Sequence, residues 1–414
     1  MAIPTIGSIL SFAPEVTGAQ DIRPGVSSIG VPGKFVIAYN NQNTYDLMAR
    51  IAIWDGTPNG FTFGASESSS YNFRNNSGTY VQTFPTSGSR YVASYVDANI
   101  GKPGLIMYEV TESTNTVRFI SDTSTNCFTG YSDWDGWTLI DSTGRIGGFG
   151  FMYPAGPTVY ICDTTSSINV LAPASHQPSA SVDAYNRYQT LGLESDAFLA
   201  VELGNYEPHC QTYIVNYTAS TNVVGTGPAF RLWNPVRTLS SQTNIVGLYA
   251  FNDNLICVAE PSGSPTIGSS GIWLNFLQRT GSGDTFSPIG NEVNVISTPN
   301  SYYDCMLVPL DTIRNTFGVV GYDGASVFYR KIQLYPGTYS ASFLSNIGSS
   351  SIGTSYWNAT ELDSDGIAIL FSQPNSQSLF SVKFNEVTIN PTITSPTIIG
   401  VTQMIGITKI QFMN

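Results

Sequence analysis

The chain has 414 residues, 17 of them basic and 29 acidic, and its formal net charge of −12 would repel the phosphate backbone of nucleic acid. Charged residues make up only 11% of the chain, so most of the surface must be formed by Ser, Thr, Asn, Gln and Gly. The amino terminus lacks the basic and apolar regions of a signal peptide, and no apolar stretch is long enough to span a bilayer. We therefore expect a soluble protein made in the cytoplasm, with no nucleic-acid partner and no membrane insertion.

Along the chain, a short apolar run recurs seven times at intervals of 50 to 62 residues. Such a regular period indicates one supersecondary unit repeated seven times. The runs are FVIAY near 35, YVASY near 91, IGGFGF near 146, FLAVE near 198, LICVA near 255, FGVVGY near 317 and IAILF near 367.

Each run is flanked by further strand-like segments. Before it comes a segment that ends in a Gly, Asp, Ser or Asn turn, such as WTLI before DSTGR, which predicts a hairpin. After it come an alternating third segment, such as LMARIAIW, and a shorter fourth, such as FTFG. Four antiparallel strands per repeat predict an all-β fold, a seven-bladed β-propeller of four-stranded blades with very little helix.

The ends of the chain predict how the ring closes. The segment ILSF, Ile9 to Phe12, has the spacing of a fourth strand without its own blade. We expect it to complete the last blade, so that strands from both termini pair and close the ring. An eighth run is expected near position 422, beyond the last residue, which favours seven blades over eight. Residues 1–390 are thus predicted to form the propeller, and residues 391–414 a terminal strand, a linker or an attachment segment.

Propeller geometry brings the loops between second and third strands to the same face as the loops between blades. These loops are rich in Asn, Gln, Asp and Tyr, which hydrogen-bond to sugar hydroxyls and stack against sugar rings. Turn chemistry also selects Asn and Asp, but it does not select large aromatic rings. The predicted ligand-binding residues are Tyr45, Tyr71, Asp133, Trp134, Asp135, Tyr153, Tyr206 and Trp233.

Signals for catalysis and metal binding are weak. The two histidines, His176 and His209, lie in different repeats, and neither a nucleophile motif nor a metal-ligand spacing occurs. The acidic motif DSDG at 363–366 coincides with the first hairpin turn of its repeat, so we expect a turn there. We predict no catalytic residue, no metal and no cofactor. Carboxylates that meet at the centre of the ring keep glycoside hydrolysis open as an alternative.

Two early repeats, GKFVIAYNNQN…RIAIWDGTPNGFTFGAS and GSRYVASYVDANIGKPGLIMYEV, resemble the propeller repeats of viral and bacteriophage fibre and tail-associated proteins. The ending SPTIIGVTQ is similar to the segment that follows such propellers. The resemblance implies a component of the virion surface that contacts a host receptor, either a glycan or a protein. It also implies contact with other virion proteins through residues 391–414.

Three hypotheses about function therefore remain. The first is a non-enzymatic virion propeller that binds a host receptor through its loop face or docks to another capsid or tail protein. The second is a carbohydrate-active enzyme, glycosidase-like or sialidase-like, that uses carboxylates at the propeller centre. The third is a purely structural protein that caps a particle.

Overall fold

The computed structural model describes twenty segments of the chain, and all regular structure in them is β-strand. Within these segments, no helix is long and apolar enough to cross a membrane. The carboxy-terminal residues 391–414 lie outside the described part. The described residues are 3–16, 23–41, 43–44, 46–69, 81–97, 102–122, 136–152, 156–175, 187–193, 197–203, 212–221, 223–228, 230, 232, 245–262, 270–280, 285–297, 302–354, 356–373 and 376–385.

The strands form seven antiparallel sheets that follow one another along the chain. Two short strands, β1 (Thr5–Ile6) and β2 (Leu10–Ser11), precede the first sheet. Blade 1 contains β3 (Gly25–Ser28), β4 (Lys34–Asn41), β5 (Asp46–Trp54), β6 (Phe61–Phe63) and β7 (Glu67–Ser68). Blade 2 contains β8 (Gln82–Pro85), β9 (Arg90–Asp97), β10 (Lys102–Thr111) and β11 (Thr116–Asp122). Blade 3 contains β12 (Gly136–Leu139), β13 (Arg145–Met152), β14 (Gly156–Asp163) and β15 (Asn169–Ser175).

The remaining four blades have the same order of strands. Blade 4 contains β16 (Arg187–Gly192), β17 (Ala197–Leu203), β18 (Thr212–Thr218) and β19 (Val223–Thr226). Blade 5 contains β20 (Gly247–Asn252), β21 (Leu255–Ser262), β22 (Gly271–Thr280) and β23 (Thr285–Ser297). Blade 6 contains β24 (Asp304–Asp311), β25 (Thr316–Tyr322), β26 (Ser326–Tyr335), β27 (Ser340–Phe343) and β28 (Gly348–Ser351). Blade 7 contains β29 (Trp357–Asp363), β30 (Gly366–Gln373) and β31 (Ser376–Lys383).

The seven apolar runs all lie in the second strand of a blade. In β17 and β25 every residue is buried, and in β30 only the last is not. A second strand is covered by the neighbouring blade on each side, so it needs apolar residues on both faces. The third strand β26 alternates between buried and partly exposed residues instead. The predicted all-β, seven-bladed propeller is confirmed.

Closure of the ring is confirmed as well. Blade 7 takes its outer strands from the amino terminus, because β1 and β2 both pair antiparallel with β31. Thr5 lies opposite Lys383, and Leu10 lies opposite Leu379. Two short strands thus take the place of the single strand expected at Ile9 to Phe12. Phe12 itself is fully buried between blades 7 and 1.

The core lies between the blades rather than at the centre of the ring. Among the described side chains, the buried apolar residues form seven clusters, and each cluster joins two neighbouring blades. The close approach explains the glycines of IGGFGF in β13. A Cβ on Gly147 would lie 2.5 Å from the Phe198 ring of blade 4, and one on Gly148 would lie 2.4 Å from the Trp137 ring.

The first strands form the inner ring of the propeller. In order, β3, β8, β12, β16, β20, β24 and β29 each contact the next, and β29 contacts β3 again. We call the face at which these strands begin the loop face, because the loops between second and third strands leave from it. The opposite face carries the hairpin turns between first and second strands, and we call it the turn face.

Candidate functional site

All eight residues that the sequence singled out for ligand binding lie outside the described residues. Their predicted role therefore stays a prediction. The structure describes the strand ends from which the loop-face loops leave. The eight are Tyr45, Tyr71, Asp133, Trp134, Asp135, Tyr153, Tyr206 and Trp233.

A buried ion pair lies on the loop face where the first strands begin, a region that we call the inner rim. Arg23, just before β3 of blade 1, places Nη2 3.1 Å from Oδ2 of Asp304, the first residue of β24 in blade 6. The side chains are only 4% and 0% exposed. The other carboxylate oxygen, Oδ1, accepts a hydrogen bond of 3.1 Å from the backbone N–H of Ile245, which precedes blade 5. One carboxylate therefore ties together three blades of the inner ring.

Side-chain amides make similar links between neighbouring blades on this rim. Gln189 of blade 4 both donates to the Val246 carbonyl (2.9 Å) and accepts from the Val246 N–H (3.0 Å). Gln82 of blade 2 accepts from the backbone N–H of Trp137 (3.0 Å), and Asn358 of blade 7 donates to the Pro24 carbonyl (3.0 Å). Amide groups satisfy a donor and an acceptor at once, so they hold the starts of adjacent first strands in register.

Two further carboxylates, Glu202 and Glu260, stand at equivalent positions near the ends of β17 and β21. At the same position, blades 1, 6 and 7 have Tyr39, Gly321 and Phe371. Glu202 is 4% exposed and Glu260 is 1% exposed. The two glutamates therefore interrupt the apolar pattern in blades 4 and 5 only.

These carboxylates act on two neighbouring ionisable groups at the loop-face end of blades 4 to 6. Burial, and then the charge of Glu202, raises the pKa of the Tyr213 hydroxyl. Burial chiefly raises the pKa of the Cys305 thiol, and the nearby Asp304 and Glu260 act in the same direction. Both shifts keep the phenol and the thiol neutral at physiological pH.

The seam between blades 7 and 1 carries its own polar network on the loop-face side. The Tyr39 hydroxyl donates to Oε1 of Glu15 at 2.5 Å, and Arg50 donates to the Phe12 carbonyl. Gln377 of blade 7 donates to the Asn40 carbonyl of blade 1 at 3.2 Å. Burial, and then the hydrogen bond to Glu15, raises the pKa of Tyr39. The amino-terminal segment is thus fixed by polar contacts as well as by strand pairing.

The hairpin turns of the turn face are closed by local bonds. The Asp141 carboxylate accepts from the backbone N–H groups of Thr143 (2.8 Å) and Arg145 (3.1 Å). Asp363 likewise accepts from Asp365 N–H at 2.8 Å, so DSDG is a hairpin turn, as expected from its place in the repeat. Asx turns of this kind close a hairpin without help from other blades.

Metal binding finds no support in the part of the chain that the structure describes. No group of three or more His, Cys, Asp or Glu side chains there is placed to hold an ion. Both histidines lie outside the described residues. Among the central carboxylates, Asp304 is fully buried and held by Arg23, an arrangement that suits a structural group.

Sequence reasoning missed the groups that build this rim. Arg23 and Asp304 are 281 residues apart, and no spacing rule joins the first strands of two non-adjacent blades. A signal for Glu202 and Glu260 did exist, because each follows directly on an apolar run. A charged residue at a position that other repeats fill with an apolar one marks a departure from the scaffold pattern.

No protein-family model matches the chain, and no curated protein matches it either. Among solved structures, Sqt1 of Saccharomyces cerevisiae is 8% identical, with 93% of this chain and 100% of that one covered and a TM-score of 0.49. The GH93 α-L-arabinofuranosidase of Fusarium graminearum is 8% identical, with coverages of 91% and 98% and a TM-score of 0.44. The Aleuria aurantia lectin is 11% identical, with coverages of 76% and 97% and a TM-score of 0.45. Such likenesses carry no functional argument, and the assignment of this chain as a seven-bladed β-propeller rests on its own strand pairing.

Proposed function

We propose that this chain is a non-enzymatic binding propeller whose loop face engages a receptor on a host surface. The observation that carries the proposal is the inner rim of that face. Buried bonds between blades, chiefly those of Asp304 with Arg23 and Ile245, hold the strand ends in place. Loops on a rigid scaffold are free to vary in sequence, which is how binding sites commonly arise on repeat folds.

The ligand class that we favour is a neutral, hydroxyl-rich glycan. The loops of this face include NNQNTYD at 40–46 and LGNYEPH at 203–209, which offer amides and aromatic rings with little charge. Amides donate and accept hydrogen bonds with sugar hydroxyls, and aromatic rings cover the apolar side of a sugar. A protein receptor is the alternative that the same surface allows.

The proposed setting is a virion surface, and it rests on the sequence resemblance to viral and phage fibre proteins. In that setting residues 391–414 attach the propeller to another virion protein. Deleting residues 391–414 should abolish incorporation into particles while the thermal unfolding of the propeller is unchanged. Particles that still incorporate the shortened chain would contradict the attachment role.

Glycan arrays and binding to host cells test the receptor proposal. We expect Tyr206→Ala and Trp233→Ala each to weaken binding about tenfold, since an aromatic ring under a sugar or in an interface contributes on the order of 1 to 2 kcal/mol. Tyr335→Ala is the matched control, because Tyr335 is an aromatic residue 39% exposed at the end of β26, on the turn face. Absence of binding to any glycan or host surface would refute the proposal, as would an equal loss in the control.

One observation favours a second candidate, a carbohydrate-active enzyme. Glu202 and Glu260 occupy equivalent positions in adjacent blades, and glycoside hydrolysis uses two carboxylates. The enzyme hypothesis predicts release of reducing ends from a host polysaccharide, and loss of that release in Glu202→Gln and Glu260→Gln. If both variants keep glycan binding and neither the variants nor the parent release sugar, the non-enzymatic proposal stands.

A further inference from the structure

A cleft of about 530 Å³ opens on the turn face, where blades 6, 7 and 1 meet. One wall comes from the end of β24 and its hairpin turn. The end of β29 with its turn, and the turn after β3, supply the other lining residues. The lining includes Pro32, Pro309, Leu310, Ile313, Glu361 and Asp363.

One side of this cleft is apolar, and its most prominent side chain is Ile313. Ile313 is 93% exposed, the highest value among the large apolar residues of the described segments. It lies at the tip of the turn DTIRN, where the corresponding turns of other blades read TSGS, DSTG and DSDG. A turn does not need an aliphatic residue at its tip, so Ile313 departs from the repeat without a structural reason in its own hairpin.

The other side of the cleft is acidic. Glu361 and Asp363 line it, Asp311 adds a third carboxylate from the β24 wall, and no lysine or arginine is among the described lining residues. Arg314, at the rim, approaches Asp311 at 3.6 Å but is 77% exposed. Burial raises the pKa of Glu361, although a hydrogen bond from Ser28 acts in the opposite direction. A carboxylate that lies partly buried, although burial disfavours its charged form, is typical of functional positions.

A neighbouring hollow on the same face contains a carboxylate whose charge is balanced by a lysine of the chain. It has a volume of about 210 Å³, lies between blades 6 and 7, and contains Lys331 and Asp365. The Lys331 side chain is 4% exposed, and its ammonium group pairs directly with the Asp365 carboxylate. In this hollow a buried lysine of the same chain neutralises the carboxylate. Among the described residues, no lysine or arginine lines the cleft around Glu361.

We propose that this cleft binds a cationic side chain of a partner polypeptide, a lysine or arginine flanked by aliphatic residues. The partner's charge lies against Glu361 and Asp363, and its aliphatic neighbour packs on Leu310 and Ile313. Charge complementarity selects this occupant, because the described lining combines aliphatic side chains with three carboxylates and contains no lysine or arginine. The net charge of −12 also accelerates the approach of a basic partner at low salt. The site is independent of the loop face and leaves that face open to a receptor.

Fluorescence anisotropy with the full chain tests the proposal. The probe is a fluorescein-labelled pentapeptide with one lysine between two leucines, titrated at low ionic strength. We expect saturable binding that weakens as salt is raised, since a partly exposed charge pair is screened. A pentapeptide with glutamate in place of lysine should not bind.

Two variants locate the site, and each has a matched control. We expect Glu361→Gln to weaken the probe about tenfold and Ile313→Ser about threefold, in line with the loss of one charge pair and of one partly covered aliphatic side chain. Glu67→Gln and Ile120→Ser change an exposed carboxylate and an exposed isoleucine of blades 1 and 2, and they should leave binding within about twofold. Circular dichroism of each variant confirms that it is folded.

Three outcomes would overturn the proposal: no saturable binding of the lysine probe, equal binding of the glutamate probe, or equal effects of the variants and their controls.

Discussion

The two faces of the propeller are held together in different ways. On the loop face, side chains from distant parts of the sequence join separate blades, as in the pair Arg23 and Asp304. On the turn face, side chains such as Asp141 and Asp363 bond to backbone groups two to four residues away. The loop-face rim is therefore a property of the closed ring, whereas these Asx turns close within their own hairpins, even where a turn residue such as Asp365 also pairs with Lys331 of the neighbouring blade.

Variation is tolerated at different places on the two faces. Bonds between blades fix the strand ends of the loop face, and loops carried on such a fixed scaffold are free to serve recognition. The turns of the other face are short and locally satisfied, so a residue that departs from turn chemistry there, as Ile313 does, stands out. The following predictions test whether the contrast holds in energetic terms.

The largest expected effect is that of Asp304→Ala. The substitution removes the carboxylate that pairs with the buried Arg23 guanidinium, and breaking a buried pair from one side costs about 3 to 5 kcal/mol. Chemical denaturation measures the change in the free energy of unfolding. The matched turn-face variant Asp363→Ala should cost only about 1 kcal/mol, because a turn carboxylate makes local hydrogen bonds. Equal costs in the two variants would remove the contrast between the faces.

Gln189→Ala should have the next largest effect. It removes two hydrogen bonds between blades 4 and 5 and leaves the N–H and C=O of Val246, a residue only 1% exposed, without these partners. Unsatisfied buried groups cost about 1 to 3 kcal/mol. Gln333→Ala is the control, since its amide donates to the Arg314 carbonyl of the same blade in an exposed contact at 3.1 Å. A cost for Gln333→Ala as large as that for Gln189→Ala would contradict the prediction.

Features that depend on local sequence could be predicted, whereas contacts that depend on closure of the ring could not. The apolar runs predicted the number of blades because a second strand is buried on both sides, and spacing predicted that the amino terminus completes blade 7. DSDG was predicted as a turn because turn chemistry is local. Arg23 and Asp304 could not be paired, since their contact depends on where two blades stand around a closed ring. The predicted aromatic loop residues lie outside the described residues, so their role stays a prediction.

Asp141→Asn should have a smaller, pH-dependent effect on the turn face. Although partial burial opposes it, hydrogen bonds from Thr143 and the Arg145 backbone, with the Arg145 charge, hold the pKa of Asp141 below its ordinary value. A lowered pKa means that the carboxylate stabilises the fold above the ordinary aspartate pKa of about 3.9, and that this contribution is lost as pH falls through the folded-state value. The variant should be about 0.5 to 1 kcal/mol less stable at pH 7. Its deficit should shrink in denaturation curves below about pH 4.

Glu361→Gln should have the smallest effect on stability, and its sign should be the reverse. Burial raises the pKa of Glu361, so the fold favours the protonated form. The stabilising contribution is complete below the ordinary glutamate pKa of about 4.3 and is lost as pH rises through the folded-state value. At pH 7 the amide should therefore raise the free energy of unfolding by about 0.5 kcal/mol, and the gain should vanish near pH 4.

The stability of Glu361→Gln and its affinity for the lysine peptide together distinguish a structural carboxylate from a ligand-binding one. If Glu361 were part of the scaffold, its replacement would destabilise the fold, as Asp141→Asn does, and the turn face would be structural throughout. If the same substitution stabilises the chain and weakens the lysine peptide, the carboxylate is retained at a cost to stability for the sake of a ligand. Denaturation at pH 7 and pH 4, with anisotropy on the same protein, separates the two cases. A loss of stability at pH 7 would show that Glu361 has a structural role, like the carboxylates of the turns.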